Sequence, residues 1–306
     1  MQTLRDSAIG ARVASIVAAC ALIAPLAGCS APHLEARNAD AARLGTCESA
    51  YLAASDGTPG LSDAYAQRPV LMRYLLSRAA GEAWLTVAAS CTGRFAEGAL
   101  RSAQVSAVTQ RLGGSLGIAS PTPPTVDYGD VVALDAAPAA LDAISLAEDR
   151  AGFSIEVLAA RGARNATLAA SDNHKTAAQR LFSLSGSTDD PRRKVYAVDE
   201  LLAHPDTIED PATGVTANTV AVIEMNCARA YLDAIGGVDD VDTADAASDT
   251  TGAADTSDTD DATRDTTDTD DTASEKTLHL MARMAAARAW HAMELGYPTA
   301  DAALFR

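Results

Sequence analysis

The chain has 306 residues, of which 48% are hydrophobic and only 4% aromatic, and carries a formal charge of −17. That length supports one large domain or two small ones with a real core, which Leu, Ile, Val, Met and close Ala contacts must build. Ala is the best helix former and a poor strand former, so the composition favours helices over a sandwich. The absence of any basic stripe excludes nucleic acid as a partner.

At the N-terminus, Arg5 and Arg12 lead into an apolar run at residues 13–27. It is shorter than the roughly twenty residues a bilayer-spanning helix needs, which is the geometry of a signal peptide. The run ends at Leu26-Ala27-Gly28-Cys29, which resembles the lipobox of bacterial lipoproteins. That resemblance implies that residues 1–28 are removed and that Cys29 is lipidated. The mature chain is then expected on the extracytoplasmic side of the cell membrane, held there by its acyl chains.

Residues 29–117 read as an N-terminal helical unit of three helices. After a short tether, apolar residues recur at helical spacing through Leu44, Cys47 and Tyr51 until Asp56-Gly57-Thr58-Pro59-Gly60 stops the helix. Ser62 and Asp63 restart it, and a second helix runs through Val70, Leu71, Tyr74 and Leu75 to about Ala79. A third is predicted from Gly81 through Trp84, Cys91, Phe95 and Leu100 to Val108, ended by Gly113-Gly114. Of the five Cys, Cys20 leaves with the signal peptide and Cys29 takes the lipid. An exported chain retains disulfides, and pairing Cys47 with Cys91 closes a loop worth about 4 kcal/mol in the chain-entropy treatment. Cys227 reads as a small buried hydrophobe. Residues 118–138, with Pro121, Pro123 and Pro124, form a linker.

Four helical segments follow within residues 139–306, at about 139–161, 165–184, 216–235 and 274–295, with Gly162, Gly186 and Gly236-Gly237 placed to cap the first three. An irregular crossover, residues 189–214, separates the second from the third; within it His204-Pro205-Asp206 reads as loop punctuation. Residues 238–274 hold 13 Asp against the single Arg264. This Asp/Thr-rich insertion has almost nothing to bury and reads as disordered. Asp258, Asp260 and Asp261 alternate like calcium ligands, but the Gly and Glu an EF-hand loop requires are not in place.

Leu146-Ala147-Glu148-Asp149-Arg150-Ala151-Gly152-Phe153 and Glu156 to Arg161 begin a likeness that continues in several later places. These are Asn173-His174-Lys175 with Arg180-Leu181, Tyr196-Ala197-Val198, Glu224, Tyr231 and the Ala/Arg-rich last helix. Over residues 139–295 the chain resembles an uncharacterised actinobacterial family with a ferritin-like domain. The resemblance implies a ferritin-like four-helix bundle and carries no assigned activity.

Periodicity addresses the same helices independently. Glu148 falls in the apolar stripe of Leu141, Ile144, Ala151, Ile155 and Leu158, and Glu224 lines up with Val220, Cys227 and Tyr231. His174 aligns with Ala178 and Leu181, and His291 with Leu280, Met284 and Ala287. A carboxylate-bridged di-iron bundle needs a Glu on each of two helices and Glu-x-x-His on each of the other two. Here Ser171 stands three before His174 and Arg288 three before His291; His279, preceded by Lys276, repairs neither. Two anionic ligands are missing and a permanent cation is added, so no metal and no cofactor are expected. Three readings stay open: a paired polar centre of Glu148, His174, Glu224, Arg288 and His291, unrelated positions at the bundle margin, or a metal site.

Other chemistries find less support. Gly113-Gly114-Ser115-Leu116-Gly117 follows a helix rather than a strand and marks a turn, not a nucleophile elbow. There is no phosphate-binding Gly-x-x-x-x-Gly-Lys, no His-Glu-x-x-His and no paired Cys-x-x-Cys. Trp84 and Trp290 could line a groove, although a lone aromatic on a helix is usually core. The expected architecture is all-α, and the expected role is non-enzymatic, a binding or scaffolding module of the cell envelope. Its partners would be the membrane through the anchor and an envelope protein or small ligand. The alternative is a metal-binding, di-iron-type bundle with a degenerate site.

Overall fold

The computed structural model describes residues 44–119, 131–236 and 267–305. Cys29, the leader before it, most of the Pro-rich linker and most of the acidic insertion lie outside the described residues. The described residues from Thr46 on form one compact unit. It is mostly helical: α1 (Thr46–Asp56), α2 (Val70–Ser90), α3 (Phe95–Ser115), α4 (Pro138–Ala160), α5 (Leu168–Ser185), α6 (Asp199–Ala203), α7 (Thr219–Gly236), α8 (Thr267–Glu294) and α9 (Asp301–Leu304).

The first three helices depart from the sequence expectation at their boundaries. Residues 62–69 form turns rather than a resumed helix, and α2 begins only after Pro69, whose fixed φ and missing N–H suit a helix entry. Two side-chain ties hold those turns: Tyr65 Oη lies 2.7 Å from Ser77 Oγ, and Arg68 pairs with Asp56 at 3.1 Å. Gly81 does not separate two helices but lies inside α2, where a Cβ would stand 3.6 Å from Ser106 Oγ on α3. The true break is Cys91–Arg94, with Gly93 at φ 71°. Helix α3 likewise runs through Gly113-Gly114 to Ser115, and the left-handed residue is Gly117.

A disulfide joins Cys47 at the start of α1 to Cys91 just past α2, with Cα atoms 5.0 Å apart, so the two helices run antiparallel. Beside it Trp84 is fully buried, edge-on to Tyr51 and donating Nε1–H to Thr58 Oγ1 at 2.8 Å. The remaining helices pair as α4 with α5 and α7 with α8; α4 also packs on α7, and α2 and α3 pack on α8. One apolar core therefore runs from Leu85, Phe95 and Leu100 through Ile144, Ile155, Leu181 and Tyr231 to Met281, Met284 and Leu304. At the C-terminus, Arg101 clasps Asp301 through two hydrogen bonds of 2.7 and 2.8 Å and ties α9 to α3.

The crossover between α5 and α7 is more ordered than its Pro and Asp content suggests. It contains α6 and an antiparallel two-stranded ribbon, β1 (Thr207–Glu209) with β2 (Thr216–Asn218), so Thr216 belongs to a strand and the helix starts at Thr219. The ribbon is fastened by hydroxyl and amide donors to the His204 and Asp206 carbonyls, from Thr219 Oγ1 and Asn218 Nδ2 respectively.

Candidate functional site

Each of the four long helices after the linker sends a polar side chain to one buried point. Glu148 on α4, His174 on α5 and Glu224 on α7 are fully buried, and Arg288 on α8 keeps only 13% of its side chain exposed. Their backbones come this close because Gly152 faces α5. A Cβ there would lie 3.0 Å from the Ser171 carbonyl oxygen and 3.2 Å from His174 Cβ. Ser145 adds a hydroxyl bond to the Ala178 carbonyl, 2.8 Å across the same pair of helices.

Glu148 is saturated with donors. Arg288 approaches it side-on, Nε to Oε1 at 2.9 Å and Nη2 to Oε2 at 2.8 Å. Tyr231 Oη donates to Oε1 at 2.5 Å, and His174 Nδ1 lies 2.5 Å from Oε2. The other ring nitrogen of His174, Nε2, lies 3.0 Å from Glu224 Oε1. That oxygen also meets His291 Nδ1 at 2.8 Å. Among the described residues Glu224 Oε2 has no hydrogen-bond partner, and Arg288 Nη1 lies 3.9 Å from it. Asn173 accepts from Arg288 Nη2 at 3.2 Å and steadies the guanidinium from outside.

The protonation of His174 follows from this arrangement. A neutral imidazole has one N–H and one lone pair, so it cannot donate to two carboxylates; the imidazolium donates to both. Burial alone would push the His174 pKa down and Arg288 repels its proton, yet Glu224 and Glu148 together outweigh them and the pKa is raised. Burial works against the charged form of Glu148 too, but Arg288 and His174 hold it at about 2. Glu224 lies below the ordinary carboxylate range, against burial, through His174, His291 and Arg288. Two carboxylates against one guanidinium and one imidazolium make the centre neutral, the condition under which buried charge persists.

A metal does not fit these donors as they stand. Glu148, His174 and Cys227 each offer a ligand atom, all within 4.8 Å of one another. However, both Glu148 oxygens are occupied by Arg288, and an imidazolium has no lone pair left to give. The Cys227 thiol is pushed well above its usual pKa by burial and by the Glu148 charge, so the thiolate a metal requires is disfavoured. Ser171, three before His174, is buried, and its Oγ has no partner among the described residues. A bridging carboxylate at that position is what a di-iron centre would need.

His279 stands apart from the centre near Arg283. His291 is different: its side chain is 36% exposed and stacks on Trp290, so it links Glu224 to the surface. Trp290 also walls a cavity of about 290 Å³ between α2, α3 and α8, with Gly81, Leu85, Ala103, Ala286 and Arg283. The hydroxyls around it are turned to main-chain carbonyls, Ser102 to Gly81 and Thr109 to Val105.

A second buried network carries no sequence signal. Asp210, fully buried in the crossover, receives Arg229 Nη1 at 2.8 Å and Tyr297 Oη at 2.5 Å, and Thr213 Oγ1 at 3.1 Å. It joins the ribbon, α7 and the chain after α8. Tyr196 similarly fastens the start of the crossover by donating to Asp149 at 2.6 Å. Comparison of the chain with protein-family models, with curated proteins and with solved structures returns no match.

Proposed function

We propose that α4, α5, α7 and α8 form a ferritin-like four-helix bundle in which a salt-bridged polar centre occupies the place of a di-iron site. The protein then acts without catalysis, as a lipid-anchored binding or scaffolding module on the extracytoplasmic side of the cell membrane. Two helical hairpins joined by a long crossover, with one polar group per helix aimed inward, support the bundle. The single observation that carries the reading is Arg288, whose guanidinium holds both oxygens of Glu148 from the position where a bridging Glu would stand. The lipobox-like Leu26-Ala27-Gly28-Cys29 supports anchoring, and the Cys47–Cys91 disulfide accords with an exported chain. The 290 Å³ cavity beside Trp290 supports the binding half of the reading.

The competing reading makes Glu148, Glu224, His174 and His291 metal ligands, favoured by the clustering of donors around Glu148. Elemental analysis of the protein purified after growth with iron and manganese separates the two. The expected result is no stoichiometric metal in the native chain and metal uptake by the Ser171→Glu/Arg288→Glu variant. One or two equivalents in the native chain would establish the metal-binding reading instead.

A further inference from the structure

The space between α2, α3 and α8 is walled by small residues on all three helices, among them Gly81, Ala103, Ala286 and Ala287. Gly81 is the most informative of them. It lies in the middle of a 21-residue helix, where only proline is a poorer helix former, and it has neither a positive φ nor a crowded Cβ position to require it. A Cβ there would stand 3.6 Å from Ser106 Oγ, another wall residue. What the missing side chain leaves is room in the cavity.

The polar groups left over around this space are donors. Arg78, exposed at its rim, has no hydrogen bond or ion pair with another described residue. Arg283 Nε and Trp290 Nε1 are buried without a partner among the described residues, and the Arg283 head reaches Glu82 only at 3.5 Å. By contrast the wall hydroxyls of Ser102, Ser106 and Thr109 are satisfied by helical carbonyls. Buried donors in folded proteins nearly always find an acceptor, so these point to one supplied from outside the chain.

Helix direction brings two of the donors to one end. Ser90 bonds Glu275 and Arg283 meets Glu82, so α2 and α8 run antiparallel. Arg78 stands one turn before Glu82 and Trp290 about two turns after Arg283, which puts both on the same side of that ion pair, with Leu85 on the other. Charge then selects an anion over a neutral acceptor. The charged side chains around the space are two arginines against one glutamate, a local excess of positive charge in a chain of net −17. A guanidinium matches a carboxylate with paired N–H donors. The volume of about 290 Å³ lies at the small end of the roughly 300–1,000 Å³ that small-molecule sites span, so the occupant is short.

We infer that this space binds a small organic acid, its carboxylate held by Arg78 at the Trp290 end and its apolar body lying along Leu85, Ala103 and Ala286. The inference rests on the binding role proposed above and names the ligand class for it.

The test titrates the full chain, labelled with nitrogen-15, with hexanoate, cyclohexanecarboxylate and phenylacetate, each beside its primary amide. The chain has two Trp, so two indole N–H signals report: Trp290 at the site, and Trp84, bonded to Thr58, as the internal control. The expected result is that at least one acid moves the Trp290 signal and not that of Trp84, and that its amide binds at least tenfold more weakly. Arg78→Gln should cost that acid at least tenfold in affinity. Gly81→Leu, which favours the helix while filling the space, should abolish binding, and both variants should keep the Trp84 signal in place. Equal affinity for acid and amide, or an Arg78→Gln variant that holds the acid as before, overturns the acid and leaves a binding cavity, and with it the proposed role, standing. No movement of the Trp290 signal by any probe at millimolar concentration overturns the site and removes the cavity's support for binding, leaving the scaffolding role.

Discussion

At the scale of single residues, the centre is governed by His174 and Arg288 rather than by the two glutamates they compensate. Removing Arg288 leaves Glu148 buried with one cation fewer, and breaking such a pair costs about 3–5 kcal/mol. Arg288→Ala is therefore expected to lose that much stability in urea unfolding. The pH dependence has two limbs with opposite signs. Glu148 ionises at about 2 in the folded chain against an ordinary 4.5, so its contribution is complete above 4.5 and is lost as pH falls toward 2. His174 is raised above 6.5, so its contribution is complete below that value and is lost as pH climbs through its folded pKa. Unfolding free energy measured across pH should peak between these limbs, and His174→Gln should flatten the alkaline one. Four residues of this centre, Glu148, His174, Glu224 and His291, are legible in the sequence because each falls in an apolar stripe at helical spacing, and Arg288 because it stands three before His291 where a bridging Glu would be. Asp210, Arg229 and Tyr297 are not, because their partners come from three distant segments and none breaks a periodic pattern.

At the scale of helices, two contacts set where the elements can lie. Gly152 permits α5 to approach α4 at His174, and a methyl there would crowd Lys175 Cγ and the Ser171 carbonyl at 3.0 Å and His174 Cβ at 3.2 Å. Gly152→Ala is expected to destabilise by about 1–3 kcal/mol, the usual cost of overpacking, and to shift the pH limb assigned to His174. Reduction of Cys47–Cys91 should cost about 2–4 kcal/mol and act on α1 and α2 first, which hydrogen exchange would localise. Sequence cues locate helix ends where a glycine terminates a periodic run into solvent, as Gly162 and Gly186 do at φ 71° and 67°. They mislead at Gly81, which lies inside α2 with room for a Cβ against α3 and terminates nothing. The ribbon of β1 and β2 escapes notice for another reason: three-residue strands are too short to show alternation.

At the scale of the whole molecule, the helices before and after the linker share one core. Leu85, Phe95 and Leu100 belong to the same apolar cluster as Ile144 and Met284. Composition foretold that core, since its close contacts are largely Ala, but the packing of α2 and α3 on α8 depends on tertiary geometry that no local pattern encodes. The four helices α4, α5, α7 and α8 meet at a neutral cluster of two carboxylates, a guanidinium and an imidazolium, whose charges balance without an ion. Thermal unfolding of the protein, in chelator and in excess iron, manganese or zinc, tests this most directly. A ligand that binds only the folded state raises its stability in proportion to the logarithm of its concentration. The same midpoint is expected in all four conditions. A midpoint that rises by several degrees with one metal and falls back on chelation would contradict it.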